Sequence, residues 1–204
     1  MRLGRWLVLP VLVVSALVLA ACGGGGSSSS SSSSNAPAST GAQTGQVKQG
    51  GTIKIGTVGP DSYDPVMFQT VQANSALHLV YTPLLAYKDA TGSEGSKLVP
   101  GLADSVPTAE NNGLQYTFHL RKGINYSDGT PVKASDFENS MERQMFLGGP
   151  FSSFFFPIKG MEEYATAKKK GGHISGIKAD DSTGTITITL TKPDTRILYA
   201  LALI

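Results

Sequence analysis

Cysteine is almost absent. The 204 residues contain one, Cys22, so an intramolecular disulfide is excluded, as is any metal site built from a cysteine cluster. Histidine is nearly as scarce. His78, His119 and His173 stand far apart, and none pairs at i, i+4 with another metal ligand. No phosphate loop, dinucleotide fingerprint or nucleophile elbow occurs, which removes the commonest sequence warrants for nucleotide or hydrolytic chemistry. After Ala21 no apolar run is long enough to cross a bilayer.

The first residues have a different character. Arg2 and Arg5 precede a nearly unbroken apolar run from Trp6 to Ala21, interrupted by Pro10 and Ser15. A positive start followed by a run shorter than a membrane span, with no basic cluster after it, has the form of a secretory signal. Leu19-Ala20-Ala21-Cys22 resembles the lipobox of bacterial lipoproteins. Small residues admit the backbone to the peptidase, and the cysteine sulfur becomes the lipid link. Residues 1–21 are thus expected to be a signal peptide and Cys22 the lipidation site. Removing Arg2 and Arg5 takes the 17 basic residues to 15, against 15 acidic ones. A near-neutral mature chain provides no electrostatic case for nucleic acid as a partner.

Gly23 to Gly50 is rich in glycine and serine and has few apolar side chains to offset its ordering entropy. With Cys22 it forms the expected tether, residues 22–50, whose root-mean-square span is on the order of 30 Å. Folded sequence is expected from Gly51. Thr52 to Gly56 alternates like a short strand, Asn74 could cap a helix running to about Tyr81 before Pro83, and Leu98 to Val106 reads as irregular chain with a helical turn. Leu114, Tyr116, Phe118 and Leu120 alternate with polar residues, as a half-buried strand does.

Ser135-Asp136-Phe137-Glu138 fits a capping box, although a start at Lys133 fits equally, and Phe137, Met141 and Met145 then share a helix face. Glu162 to Lys170 reads as a polar helix and Lys168–Lys170 as its solvated end. Ile177–Ala179 and Thr185–Thr191 suggest a hairpin, and Thr195 to Ile204 a further helix. That last helix is apolar and uncapped, so the chain is read as a fragment of a longer fold.

Candidate chemistry is sparse. His119 falls on the polar face of its strand, and Asp180-Asp181 falls in a turn, where aspartate is favoured for backbone reasons. Four aromatics lie in the loop Gly148 to Pro157. Phe151 and Phe154 to Phe156 either fill a core gap or form the apolar wall of a ligand cleft.

The segment Tyr116-Thr-Phe-His-Leu-Arg-Lys-Gly-Ile-Asn-Tyr-Ser-Asp-Gly-Thr-Pro-Val-Lys-Ala-Ser-Asp-Phe137 closely resembles the signature of family 5 extracellular solute-binding proteins, the oligopeptide- and dipeptide-binding components of ABC importers. Asp64-Pro65, Tyr81-x-Pro-Leu-Leu85, the stretch from Leu98 to Ser105 and Gly176 to Asp181 follow in family order. The resemblance implies an α/β, periplasmic-binding-protein-like fold of type II, with two lobes and an extra domain, present here in its N-terminal part. Residues 51–64 would begin the first lobe, 65–174 form the additional domain and 175–204 return to the first lobe.

The resemblance also implies a binding protein rather than an enzyme, with no cofactor. Its partners would be a peptide or other small solute, a permease and ATPase complex, and the membrane through its lipid, with the protein itself a monomer. Two segments match positions that touch ligand in the family. One is the extended stretch Gln69, Thr70 and Val71, whose backbone would pair with a peptide like an added strand. The other is Phe151, where peptide binders often carry tyrosine. Relatives binding nickel chelates, haem or oligosaccharides provide the alternative ligands, and a sensor or chaperone-like lipoprotein the alternative role.

Overall fold

The computed structural model describes residues 50–167 and 171–203. The expected signal peptide, Cys22, most of the expected tether and Lys168–Lys170 lie outside the described residues. Residues Ile53–Ile204 form one compact unit. Its centre is a three-stranded antiparallel sheet of order β3-β5-β4, with β3 Gln115–His119, β4 Ile177–Asp180 and β5 Thr185–Thr189.

Period-2 alternation sets the faces of this sheet. Tyr116 lies opposite Ile188, which lies opposite Ile177; Phe118 lies opposite Ile186, which lies opposite Ala179. All six belong to the main apolar core or pack against it. The threonines of β5 alternate with its buried isoleucines. His119 is exposed beside Thr185, whose Oγ1 lies 3.2 Å from its Nδ1. Burying each large aliphatic or aromatic side chain contributes about 1.5–3 kcal/mol, so these cross-strand rows set the register.

Helix α2, Ala134–Leu147, covers the sheet with Ala134, Met141, Gln144 and Met145 buried. The open choice at its N-terminus resolves to Lys133 as the cap residue. Asp136 accepts from the Lys133 N–H at 2.8 Å, which is half of a capping box; an ammonium cannot supply the other half. The helix stops at Gly148, whose φ of 65° is left-handed. The signature turn before it is closed by Asp128, which accepts from the Thr130 N–H at 2.9 Å.

Asp181 does more than shape a turn. It accepts from both the N–H and the hydroxyl of Ser135, each at 2.8 Å, and so ties the β4–β5 hairpin to the first turn of α2.

Helix α3, Met161–Ala167, buries Met161 and Tyr164. Helix α4, Arg196–Ala200, buries Ile197 and Ala200, and the chain continues as a turn through Ala202. The long helix expected over Thr195–Ile204 is therefore confined to a short one. Within the unit, the boundary expected between 174 and 175 falls between α3 and β4, and β5 pairs with β3 across it along five residues.

Three local readings are corrected. Among the described residues, 52–56 join no sheet, with Ile53 85% and Ile55 74% exposed. Alternation alone cannot make a strand, because its N–H and C=O groups need a second strand. The helix expected from Asn74 begins earlier: α1 is Val71–Leu77 and its cap is Thr70, whose Oγ1 accepts from the Ala73 N–H at 3.3 Å. The stretch read as irregular at Leu98 instead contains β2, Leu98–Pro100, paired antiparallel with β1, Leu85–Tyr87. Three-residue strands are too short to show a period. Among the described residues no helix is long and apolar enough to cross a membrane.

Candidate functional site

The segment 61–70 is held by two aspartates. Asp61 accepts from the Gln69 N–H at 2.7 Å, the Thr70 N–H at 3.2 Å and the Thr70 hydroxyl at 2.5 Å. The Thr70 hydroxyl is the main cause that lowers the Asp61 carboxyl below its ordinary range. Asp64 accepts from the Val66 N–H at 3.0 Å and takes a two-pronged bond from Arg143 of α2, at 2.9 and 2.6 Å. That bond lowers the Asp64 carboxyl and raises the Arg143 guanidinium. The segment is therefore a strap of side-chain-locked turns, tied to α2 through Arg143.

The strap delivers Phe68 to a small second core with Ala73 and Leu77, against which Phe151 packs. The Phe68 and Phe151 rings are 5.0 Å apart at 48°, and Phe151 and Phe154 are 5.7 Å apart at 33°. Tilted rings at this spacing attract beyond their burial. Phe154 is 51% exposed, whereas Phe155 is buried in the main core. The aromatic loop thus serves both readings: Phe155 fills the core, and Phe151 and Phe154 form a surface wall.

Phe151 is brought to Phe68, the residue directly before Gln69. Gln69 is exposed, Thr70 is extended as the cap of α1, and Val71 is exposed but lies in the first turn of α1 rather than in extended chain. The Gln69 and Thr70 N–H groups both point at Asp61. A peptide adding as a strand here must displace Asp61 or pair through carbonyls.

A groove begins at Phe154 and is lined by Tyr87, Pro157, Arg196 and Tyr199, with the Tyr87 and Tyr199 rings 6.3 Å apart. Tyr87 and Tyr199 stand 112 residues apart in the sequence, so no local pattern pairs them; they meet where the Leu85 N–H of β1 donates to the Leu201 carbonyl, just after α4, at 3.4 Å. A separate concavity lined by Leu84, Leu102, Tyr126 and Phe137 includes none of the four expected ligand residues.

At the groove floor Asp194 is buried and accepts from the Arg196 Nε at 2.9 Å and Nη2 at 2.6 Å. These bonds hold its carboxyl down to about 2, from an ordinary 3.8. Because the folded value lies below the unfolded one, the stabilisation is complete above the unfolded value and is lost as pH falls towards the folded one. The thermal midpoint of the native chain should exceed that of Asp194→Asn at pH 7. The gap should narrow as pH falls from 3.8 to about 2, and a gap constant over that window would refute the assignment.

The fold is similar to that of periplasmic oligopeptide-binding proteins. Haemophilus influenzae OppA in complex with RPPGFSPFR superposes with a TM-score of 0.61 at 27% identity, over 70% of this chain and 27% of that one. The chain thus has the periplasmic-binding-protein-like fold in part. Residues 97–204, just over half of the chain, match the family model described as bacterial extracellular solute-binding proteins, family 5 middle, and the chain belongs to that family.

Among curated relatives, the periplasmic oligopeptide-binding protein OppA of Escherichia coli is 37% identical over 98 residues, covering 46% of this chain and 17% of the relative. Heme-binding protein A of Haemophilus influenzae is 30% identical over 152 residues, covering 71% and 26%. The chain spans about a quarter or less of the length of these relatives.

Proposed function

We propose that this chain belongs to the substrate-binding lipoprotein of an ABC importer, which captures peptides outside the membrane and hands them to a permease. The observation that carries the reading is the Phe68–Phe151–Phe154 wall beside the Gln69–Thr70 backbone. It occurs in a family whose similar members are named for binding oligopeptides. A wall of rings accepts many side chains, and a backbone edge reads none of them. Together they suit a ligand defined by its main chain. Gln69, Thr70, Val71 and Phe151 are the proposed ligand contacts. Capture would proceed by closure of a second lobe over the ligand, with the closed state favoured by its contacts.

Lipid on Cys22 would hold the head near its permease at the end of the glycine–serine tether. Two measurements test this. Mass spectrometry of the full-length protein, purified without denaturation, should recover peptides. Haem, the cargo named in one similar relative, or an oligosaccharide or nickel chelate would overturn the peptide reading. Cys22→Ala should shift the protein from the membrane fraction to the soluble one. Unchanged retention would reject the lipid anchor.

A further inference from the structure

A half-buried face of α2 carries a group that the ligand site does not use. Glu138 and Glu142 are four residues apart and share one helix face. His173 reaches the same point from the loop between α3 and β4, and its Nδ1 contacts Glu138 Oε1. The three side chains place one ligand atom each within 4.8 Å of one another. The ring does not reach this point on a free loop: the next residue, Ile174, is fully buried, and its carbonyl accepts from the Ile177 N–H at 2.9 Å.

Two carboxylates at i, i+4 repel one another. Among the described residues His173 is the only basic group within ion-pair distance of either. Arg143, next on the helix, is committed to Asp64.

We propose that Glu138, Glu142 and His173 form a binding site for a divalent first-row transition-metal ion of the zinc class. An imidazole nitrogen with two carboxylates is a borderline donor set that suits such ions, whereas calcium and magnesium favour oxygen alone. Ligands at about 2.0–2.2 Å from one ion must lie within about 4.4 Å of each other, so a small rotamer adjustment closes the group around the metal. Three protein ligands leave a coordination position for water or for a donor from a partner. The ion would relieve the carboxylate repulsion and staple the 171–176 loop to α2, a contact that joins residues 35 positions apart.

The test is isothermal titration of the metal-free full chain with zinc chloride. One ion per chain is expected, with affinity falling at least tenfold in Glu142→Gln and in His173→Ala. His119→Ala, on the exposed face of the sheet, should bind as the native chain does. Circular dichroism melts check that each variant is folded. Zinc should also raise the melting midpoint of the native chain but not that of His173→Ala. Absence of saturable binding, or binding that survives both Glu142→Gln and His173→Ala in folded protein, overturns the site. Neither result bears on the peptide reading, which is measured by recovered cargo.

Discussion

Phe118→Ala should cost about 3–5 kcal/mol of stability. The ring is 1% exposed and sits on the buried face of β3, opposite Ile186, with Ala179 beyond it in the same row. Removing it deletes the largest member of that row. The neighbours cannot collapse into the space, because Ile186 is held by ladder bonds on both sides. Domains commonly have only about 5–15 kcal/mol in hand, so much of the population should unfold under mild denaturant. Urea titration followed by circular dichroism checks this. Thr117→Ala is the control: it changes the same strand on the opposite, partly exposed face, and should cost under about 1 kcal/mol. Equal effects of the two variants would mean that the face assignment of β3 is wrong.

Gly149→Ala should damage the candidate ligand site while leaving the sheet intact. A Cβ at this position would lie 2.1 Å from the Val66 carbonyl oxygen and 2.8 Å from Val66 Cγ1. The strap would have to move off the end of α2. Asp64 would then lose its alignment with Arg143, and Phe68 its contact with Phe151, since both flank Val66 in sequence. Overpacking of this kind costs about 1–3 kcal/mol, and affinity for the recovered cargo should fall about tenfold or more. Gly148→Ala separates the two effects. Gly148 has the left-handed φ of 65°, but a Cβ there meets nothing within 4 Å. That variant should lose about 1 kcal/mol of stability with affinity unchanged. If Gly149→Ala binds like the native chain, the strap does not position the site.

These two positions also show what could be read early. Phe118 was legible because alternation is local: one strand's own pattern names its buried face. The same holds for β5, for the apolar face of α2 and for the Asp128-Gly129 turn. Gly149 was not legible as a packing residue, since its constraint comes from Val66, more than eighty positions earlier. Thr70 outcompeted Asn74 as the cap of α1 because both side chains can cap and only the packing of Phe68, Ala73 and Leu77 chooses where the helix starts. The strand expected at 52–56 failed for a related reason, as its pattern was right but no described strand lies beside it.

The sequence by itself determined the apolar and polar faces of the central strands, the turns and the signature that marks the family. Each depends on residues close together in the chain, whose side chains obey a period of two or 3.6. Only the tertiary structure decided that Asp181 anchors the start of α2, that Asp61 occupies the N–H groups of Gln69 and Thr70, that Phe151 and Phe155 part company, and that His173 meets Glu138 and Glu142. Those are contacts between distant segments. Their partners are chosen by how the core closes, and no local pattern carries that information.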